Sequence, residues 1–489
     1  MKKRIMGIET EYGSILRLKN GKFSGKDSAG YFFRELKREL NKTLKHLKIC
    51  PGSSESVDFW IGRTGGKFYE DREHIEYSSP ECSGAKEVSL LSSAGDMMLA
   101  EIVSILKNIR MAGLKNSQFS DFLLTKNNSD FVRPVAHDAP NVHGDSPVNF
   151  YGSHENYLIN SALYCGSWPG DDSFEKKFVP FLVSRPILHG SGGFWWTHEK
   201  NWHYVLSPRS YVIEKLRGID SMAYRPIIQV RKSYGYDHME RLHLIYADSN
   251  MSDRSTFLKF GATHLVLRAL EEIKTKAAWP ELDNAVWALQ DFSSDPSLRK
   301  RTVVCGRKSY NAMELQKFYL DLIGRLRLSE EEKEIARYWS DILQRLEKGW
   351  ESVDKELDWA IKLSFLKSLM KKNSYCFQDE RARVADVLYS DISEKGIFNR
   401  LKKLGAINPL FGEEEVRRAC LYPPRETRAC LRSKYMLALL ELVPEKHEAI
   451  DSLFVSWDSL HLGPSFKIPD PFKFQSRELD KFLEKISKY

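Results

Sequence analysis

The sequence predicts an α+β protein in which antiparallel strands are packed by amphipathic helices. Residues 5–13 alternate apolar and acidic side chains, the pattern of a strand with one buried face. Residues 58–61 and 67–70 show two further strand patterns around a glycine-rich turn, which predicts a hairpin. Helical spacing of apolar residues is found in residues 28–47, 94–111 and 313–370.

Each predicted helix depends on a local pattern. In the first, the apolar positions at helical intervals are Phe32, Phe33, Leu36, Leu40, Leu44 and Leu47. A helix is also expected over residues 255–276, with Ser252 or Ser255 as its N-cap. Between residues 313 and 370, two apolar stripes indicate helices that contribute to a core rather than to a cofactor site.

The size of the chain suits one large and one small domain. It has 489 residues, of which 42% are hydrophobic and 29% are charged, an ordinary globular composition. The loop around residues 405–413 is the best candidate boundary. We therefore expect a catalytic domain at residues 1–410 and a small C-terminal domain at residues 411–489.

The composition also disfavours several cellular settings and partners. No apolar run approaches the ~20 residues of a membrane span, and no apolar segment follows the basic start as in a signal peptide. The seven cysteines are scattered and form no CxxC pair, which predicts a reducing cytoplasm and no zinc site. The net charge of +8 suits an acidic protein or a polyphosphate. Without a basic run interleaved with aromatics, we expect neither nucleic acid nor a membrane as partner.

Residues 67–82 are rich in acidic side chains. Five acids, one histidine and two tyrosines fall within sixteen residues, with no basic run to neutralise them. Strand alternation places Tyr69, Asp71 and Glu73 on one face. Neighbouring carboxylates repel one another unless a cation lies between them, and hard oxygen ligands suit Mg²⁺. Taken alone, the segment is explained better by a solvated acidic strand and turn.

The first predicted strand favours the metal interpretation. It places Glu9 and Glu11 on one face, two residues apart. If it lies beside the acidic strand in a sheet, the two together would form a floor of carboxylates. Such a floor can hold several metal ions under a triphosphate.

Three segments resemble motifs of one known family. GIETEYG at residues 7–13, FYEDREHIEYSSPEC at 68–82 and YGSHENYL at 151–158 are similar, in this order, to motifs of the Pup ligase and Pup deamidase/depupylase family. That family is related to glutamine synthetase. The resemblance implies a glutamine synthetase-like large domain with a curved antiparallel sheet packed by helices. It also implies ATP and Mg²⁺ as cofactors.

The resemblance further implies the residues of the site. Asp71 would act as a general base or as a nucleophile, between which the sequence does not decide. The implied metal contacts are Glu9, Tyr69 and Glu76, with Glu11, His154, Glu155 and His243 nearby. The implied nucleotide contacts are Lys67, Ser79, Arg209, Arg428, Arg432 and Trp457.

Some of these assignments have simpler alternatives. Lys67 stands where the family carries arginine, so we expect weaker nucleotide binding, because lysine lacks the bidentate fork. Arg428 and Arg432 lie four residues apart and would share a helix face, either to clamp phosphates or to form a surface ion pair. Trp457 either contacts the nucleotide or lies in the core.

The chain departs from the family pattern in two places. Residues 229–237 read QVRKSYGYD where the family reads NTRDEPHAD, so the roles of the lost acids and histidine are not carried over. Residues 131–150 form an insertion before the third motif, and we expect a loop near the site there.

The family acts on the last residue of Pup, a small disordered protein modifier. One branch joins its glutamate side chain to a lysine through a γ-glutamyl phosphate, and the other deamidates a terminal glutamine and cleaves the same isopeptide bond. The spacing from Asp71 to His74 resembles the hydrolytic branch, as do the segments GIETEYG, EYSSPEC, GSHENYL, FLVSR and SWDS. The segment DSNMS at residues 248–252 and the short interval between Gly13 and Phe68 resemble the ligase branch.

We expect deamidation and depupylation, with the ligase reaction as the alternative. A non-catalytic homologue that only binds the modifier is a second alternative. The implied partners are a Pup-like modifier and its lysine-linked target proteins.

Overall fold

The structure is a computed structural model that describes most of the chain. The described residues are 3–18, 23–24, 28–39, 42, 44–51, 58–71, 74–113, 119–126, 151–161, 173–196, 201–219, 225–230, 236–273, 279–304, 308–442, 454–461 and 465–486. The predicted loop at 131–150 lies outside these ranges, as do residues 231–235 of the altered motif.

Eighteen strands are found in the described ranges. They are β1 (Met6–Leu18), β2 (Phe23–Ser24), β3 (Ile49–Pro51), β4 (Asp58–Ile61), β5 (Lys67–Asp71), β6 (His74–Ser78), β7 (Phe119–Thr125), β8 (Ser153–Asn160), β9 (Gly193–Trp196), β10 (Trp202–Val205), β11 (Lys215–Gly218), β12 (Pro226–Gln229), β13 (Met239–Ala247), β14 (Arg301–Val304), β15 (Lys308–Asn311), β16 (Phe454–Val455), β17 (Ser459–His461) and β18 (Ser465–Lys467).

The same ranges contain α-helices of four to 29 residues. They are α1 (Ser28–Glu39), α2 (Ala85–Gly113), α3 (Ser173–Ser184), α4 (Pro186–His189), α5 (Asp253–Glu272), α6 (Ala285–Ser293), α7 (Ala312–Ile323), α8 (Glu330–Leu346), α9 (Asp358–Asn373), α10 (Glu380–Tyr389), α11 (Ile397–Lys403), α12 (Glu413–Ala419), α13 (Ala429–Leu442) and α14 (Arg477–Ile486). Short 3₁₀ helices lie at Lys45–Leu47, Pro208–Val212 and Trp350–Val353.

The chain forms two compact units, which we call the middle unit and the split unit. The middle unit comprises Met1–Arg4, Lys126–Asp391 and Lys395–Leu410. The split unit comprises Ile5–Thr125, Ile392–Glu394 and Phe411–Tyr489, so it is assembled from the two ends of the sequence. The expected domains at 1–410 and 411–489 stay a prediction.

The split unit is built on an antiparallel sheet. Its strands follow the order β3-β4-β5-β6-β1, and β1 also pairs with β2 and β7. Helix α2 packs on β1 and β7, and α1 packs on β1 and β5. A separate apolar cluster joins Trp60 of β4 to Leu431, Tyr435 and Leu439 of α13. The strands with the predicted acidic side chains, β1, β5 and β6, therefore lie side by side.

The middle unit contains four neighbouring strands, in the order β11-β12-β13-β8. Strands β12, β13 and β8 are antiparallel, whereas β11 and β12 are parallel. Helix α5 is buried over most of its length, and it packs on β8 and on α3, α4, α7 and α8. The α+β class predicted from the sequence is confirmed in both units.

Most of the predicted elements are present, with shifted ends. The hairpin is confirmed, because β4 and β5 pair through a turn in which Gly65 has a φ of 79°. Ser252 caps α5 by accepting from the Ser255 N–H. The first helix is shorter than predicted, because α1 ends at Glu39 and a separate 3₁₀ turn follows. Leu44 is buried outside α1, so its apolar position does not require a helix.

One helix in the described ranges is long and apolar enough to cross a membrane by length and composition. It covers Ala85–Ile109, within α2, and overlaps the helix that the sequence predicts over residues 94–111. Of its most apolar window, 56% is buried inside the protein. A mostly buried core helix passes the same test, so this is weak evidence for a membrane span.

Candidate nucleotide and metal site

Three carboxylates of the split unit come together on neighbouring strands. In the antiparallel register, Glu11 of β1 lies directly opposite Glu76 of β6, and Glu76 lies opposite Tyr69 of β5. One carboxylate oxygen from each of Glu11, Asp71 and Glu76 lies within 4.8 Å of the others. Like charges opposite one another in a sheet are destabilising, so this arrangement favours a cation among them.

The environment of Glu76 strengthens this interpretation. Its side chain is 1% exposed, and its Oε1 has no hydrogen-bond partner within the described residues. Burial raises the pKa of Glu76 well above its usual value, and the charges of Glu9 and Glu11 raise it further. A bound divalent cation would supply the missing partner and favour the ionised carboxylate.

Tyr69 and Lys67 lie on the same face of β5, two residues apart. Ser78 Oγ donates to the Tyr69 hydroxyl over 3.4 Å. Burial raises the pKa of Tyr69 well above its usual value, and the nearby charge of Glu76 adds to the increase. Tyr69 is therefore a neutral phenol beside the carboxylates, and its role as a metal contact stays a prediction.

The Lys67 ammonium is surrounded by aromatic rings. Its Nζ lies 4.2 Å from the ring centre of Tyr69, 5.7 Å from that of Trp60 and 5.9 Å from that of Trp457. Its Nζ also donates to Asp58 Oδ2 over 3.3 Å. The rings hold the cation at the start of β5, where the resemblance places a nucleotide contact.

Ser79 already has partners in the backbone. Its Oγ accepts from the Ile8 N–H over 3.1 Å and donates to the Pro80 carbonyl over 3.0 Å. The Ser79 N–H donates to the Ile8 carbonyl over 2.9 Å. Ser79 thus joins the end of β6 to β1, and a nucleotide contact from it stays a prediction.

Arg428 and Arg432 both donate to one buried acid, Glu81. Arg428 Nε donates to Glu81 Oε1 over 2.7 Å, and Arg432 Nη2 donates to Oε2. Burial alone would raise the pKa of Glu81, but Arg432 and Arg428 together lower it to about 2. The arginines form a buried ion cluster, not a surface pair, and phosphate contacts from them stay a prediction.

Trp457 lies at the edge of the apolar cluster of the split unit. Its ring meets that of Trp60 edge to face, with 4.9 Å between the ring centres. The Arg432 guanidinium lies 4.9 Å from the centre of the Trp457 ring. The indole is only partly buried, so both sequence-based alternatives for it stay open.

The remaining predicted site residues belong to the middle unit, where two histidines lie close together. The rings of His154 on β8 and His243 on β13 meet edge to face, with 5.3 Å between their centres. His243 lies directly opposite Asn156, and its Nδ1 is 3.4 Å from Arg241 Nη2. Imidazoles at this separation can share an ion or a phosphate oxygen.

Glu155 and Arg209 make extensive contacts inside the middle unit. Both oxygens of Glu155 accept from Arg185, over 2.9 Å and 2.8 Å, and Oε2 also accepts from the Tyr157 hydroxyl over 2.6 Å. Arg209 Nε donates to the Ile245 carbonyl over 3.1 Å. Both side chains are buried, and their predicted metal and nucleotide contacts stay predictions.

Comparison with known proteins assigns the chain to a family. A family model described as Pup-ligase protein matches residues 4–461. The chain belongs to the Pup-ligase family. The resemblance found in the three sequence motifs is thereby confirmed.

Members of the Pup-ligase family with either activity are similar to this chain. A Pup–protein ligase of Acidimicrobium ferrooxidans is 28% identical over 501 residues, which cover 99% of both chains. A Pup–protein ligase of Saccharomonospora viridis is 28% identical and covers 99% of this chain and 100% of its own. A Pup deamidase/depupylase of Mycolicibacterium smegmatis is 30% identical over 410 residues, which cover 81% of this chain and 74% of its own.

Solved structures of the Pup-ligase family have the same fold. The crystal structure of the complex between Pup and its ligase PafA superposes with a TM-score of 0.81 at 25% identity, and covers 100% of this chain and 92% of that one. A PafA structure in complex with ADP gives a TM-score of 0.75 at 23% identity, with 94% of both chains covered. The glutamine synthetase-like fold expected from the sequence is thereby confirmed.

Two residues of the site were missed by reading the sequence, namely Glu81 and Asp58. Glu81 lies inside the acidic segment, and its spacing from Glu76 does not indicate that the two acids have different partners. The signal that could have found it is the pair of arginines at 428 and 432, which require an acid when buried. Asp58 begins β4, opposite Tyr69, and it was interpreted only as the start of a strand.

Proposed function

We propose that this chain is an ATP- and Mg²⁺-dependent ligase that attaches a Pup-like modifier to lysines of target proteins. The observation that carries the chemistry is the carboxylate cluster of Glu11, Asp71 and Glu76, in which one buried oxygen of Glu76 has no hydrogen-bond partner in the described part of the chain. The direction of the reaction is supported by the relatives named Pup–protein ligase, which match over the full length of both chains. The comparisons thus favour the ligase alternative over the depupylation expected from the motifs.

The residues of the cluster suit Mg²⁺ by their chemistry. Glu11, Asp71 and Glu76 offer only hard oxygen donors, and Glu9 and Tyr69 extend the set along the same strands. When bound, the ion would neutralise the phosphates of ATP and polarise the phosphoryl oxygens. His154 and His243 offer a second pair of contacts in the middle unit.

In the first step, the terminal glutamate γ-carboxylate of the modifier attacks the γ-phosphorus of ATP. The bond between the γ-phosphorus and the bridging oxygen breaks, ADP leaves, and an acyl phosphate forms. Lys67, held by Asp58 and three rings, supplies positive charge on the strand next to the carboxylates. Trp457 offers an aromatic face for the nucleotide base.

In the second step, the amine of a target lysine attacks the acyl carbon. The carbon–oxygen bond to phosphate breaks, inorganic phosphate leaves, and an isopeptide bond forms. Asp71 accepts the proton that the amine must lose, because it lies at the end of β5 and is only partly buried. We place this reaction in the cytoplasm, without nucleic acid or membrane as partner.

Hydrolysis is the second candidate, because the depupylase relative is 30% identical over 410 residues. The same Asp71 would then activate a water or attack the carboxamide itself, and ATP would not be consumed. A modifier-binding homologue without catalysis is the third candidate.

One experiment separates the three candidates. The purified chain is given ATP·Mg²⁺, a lysine-bearing target, and a Pup-like protein that ends in glutamate, in glutamine or in an isopeptide-linked lysine. We expect one ADP for each new isopeptide bond with the glutamate form. Ammonia or free lysine released with far less ADP would establish hydrolysis instead. Binding of the modifier without either product would leave only the binding homologue.

A further inference from the structure

Glu81 joins two segments of the split unit that are distant in sequence. It follows β6 by three residues, and its own carbonyl accepts from Thr427 Oγ1 over 2.9 Å. Its carboxylate accepts from Arg428 and from Arg432, and the guanidinium of Arg432 is fully buried. A single buried acid thus fixes two arginines at the start of α13.

Arg432 carries the connection onward to the predicted nucleotide contacts. Its Nη1 donates to the Trp457 carbonyl over 2.7 Å, and its guanidinium lies over the Trp457 ring. Its Nε donates to the Gly65 carbonyl over 2.8 Å, in the turn that leads into Lys67. Arg432 therefore contacts the segments on both sides of the proposed nucleotide site.

The donors of Arg432 are almost fully used by these contacts. Of its five N–H groups, one is directed to Gly65, one to Trp457 and two to Glu81, which leaves one. Arg428 is engaged similarly, since its Nη1 donates to the Ile468 and Pro469 carbonyls, both over 3.1 Å. This geometry suits orientation of the site better than direct phosphate binding.

We propose that Glu81 is a positioning residue for ATP, which acts through Arg432 on Trp457 and on the turn before Lys67. The inference depends on the proposed nucleotide role of Trp457 and Lys67. Glu81 itself touches neither the nucleotide nor the reacting atoms. If Glu81 has no negative charge, the buried Arg432 loses the partner that fixes the plane of its guanidinium. The Trp457 indole and the turn before Lys67 are then no longer held by the same side chain.

The test is Glu81→Gln, which keeps the size of the side chain and removes its charge. We expect the Kd for ATP·Mg²⁺, measured by calorimetry, to rise about tenfold, the effect of losing one charge-assisted hydrogen bond. The KM for ATP should rise by the same factor, with kcat within about twofold of the wild type. We also expect ATP to quench the fluorescence of Trp457, measured as the part of the quench that Trp457→Phe removes. This part should be absent in Glu81→Gln.

Glu332→Gln is the matched control. Glu332 is a buried acid of the middle unit that accepts from Arg268 Nη1 over 2.6 Å and pairs with His264 Nε2 at 3.0 Å. Its loss should lower Tm while the Kd for ATP stays unchanged. If Glu81→Gln behaves in the same way, with lower Tm and unchanged Kd, Glu81 is only a stabilising residue and the proposal is wrong.

Glu81→Asp keeps the test decisive if Glu81→Gln does not fold. The shorter acid keeps the charge but reaches the two arginines less well. We therefore expect a Kd for ATP that is higher than the wild-type value by less than about tenfold. A wild-type Kd in Glu81→Asp would overturn the proposal. Because Kd is measured without turnover, an inactive wild-type chain would contradict the ligase function and leave this test intact.

Discussion

Two buried acids, five residues apart in sequence, have opposite environments. Glu76 lies among other acids, with one oxygen lacking a partner in the described residues, and its pKa is raised. Glu81 lies between two arginines, and its pKa is lowered to about 2. In the described part of the chain, Glu81 contacts two arginines, whereas no contact of Glu76 with a basic side chain is found. The difference supports the proposal that a bound cation neutralises Glu76.

The same distinction separates two predicted metal contacts. Glu155 has the environment of Glu81, because Arg185 donates to both of its oxygens in a buried pair. Glu11 has the environment of Glu76, directly opposite another acid. Acids paired with a buried arginine are expected to stabilise the fold, and acids placed opposite other acids are expected to bind the ion.

The largest effect is expected for Asp71→Asn, which tests the cluster of neighbouring carboxylates. The variant keeps the shape of the side chain but cannot accept a proton, so ligation should fall by about 10²–10⁴-fold. ATP should still bind, as measured by calorimetry. The control is Glu70→Gln, the neighbouring acid on the opposite face of β5, which should remain active. Equal activity of both variants would remove Asp71 from the mechanism.

Glu155→Gln is expected to affect stability. Breaking a buried ion pair leaves Arg185 uncompensated, at a cost of about 3–5 kcal/mol of unfolding free energy. Tm in the absence of ligand should therefore fall clearly, while the Mg²⁺ concentration for half-maximal activity stays the same. A large shift in that Mg²⁺ concentration, with Tm preserved, would show that Glu155 binds the metal and does not resemble Glu81.

A smaller effect of opposite sign is expected for Glu76→Gln. When the pKa of an acid is higher in the folded state than in the unfolded state, the protein becomes less stable as the pH rises above the pKa of the unfolded state. At neutral pH, Glu76 therefore destabilises the metal-free protein. The variant should therefore raise Tm without Mg²⁺, at roughly 2–4 °C per kcal/mol gained. It should also lose activity and the stabilisation by ATP·Mg²⁺. A lower metal-free Tm would mean that Glu76 has an internal partner.

The smallest effect is expected for Lys67→Arg. Arginine restores the residue that the resemblance gives to the family, and its fork can form two hydrogen bonds to a phosphate. We expect ATP to bind about two- to fivefold more tightly, as measured by calorimetry. Weaker binding in the variant would show that the three rings and Asp58 are fitted to a compact ammonium.

The parts of the site that lie within one strand could be predicted from the sequence. Alternation alone placed Glu9 and Glu11 on one face of β1, and Tyr69 and Asp71 on one face of β5. The turn around Gly65 followed from glycine composition, because a φ of 79° suits a residue without Cβ. These features depend on residues close in sequence, which a local pattern contains.

The partners that lie far apart in sequence could not be predicted. Glu81 and Arg432 are separated by 351 positions, and no local pattern connects them. The rings around Lys67 come from β4, from β5 and from the segment after β16. The sequence therefore predicted arginines that share a helix face, but not the acid that they contact. The family resemblance implied nucleotide contacts for Arg428 and Arg432, because the acid that they contact could not be identified from the sequence.

The split unit also determines when the site can exist during synthesis. Its first part ends at Thr125 and its last part begins at Phe411, so at about 5–20 residues per second the ribosome needs roughly 15–60 s between them. During that interval Glu81 has no arginine, and Trp60 has no α13 to cover it. Every acid of the carboxylate cluster is therefore synthesised long before Arg432 and Trp457, and under the proposed function we expect ATP binding only after the segment that contains Trp457 has been synthesised.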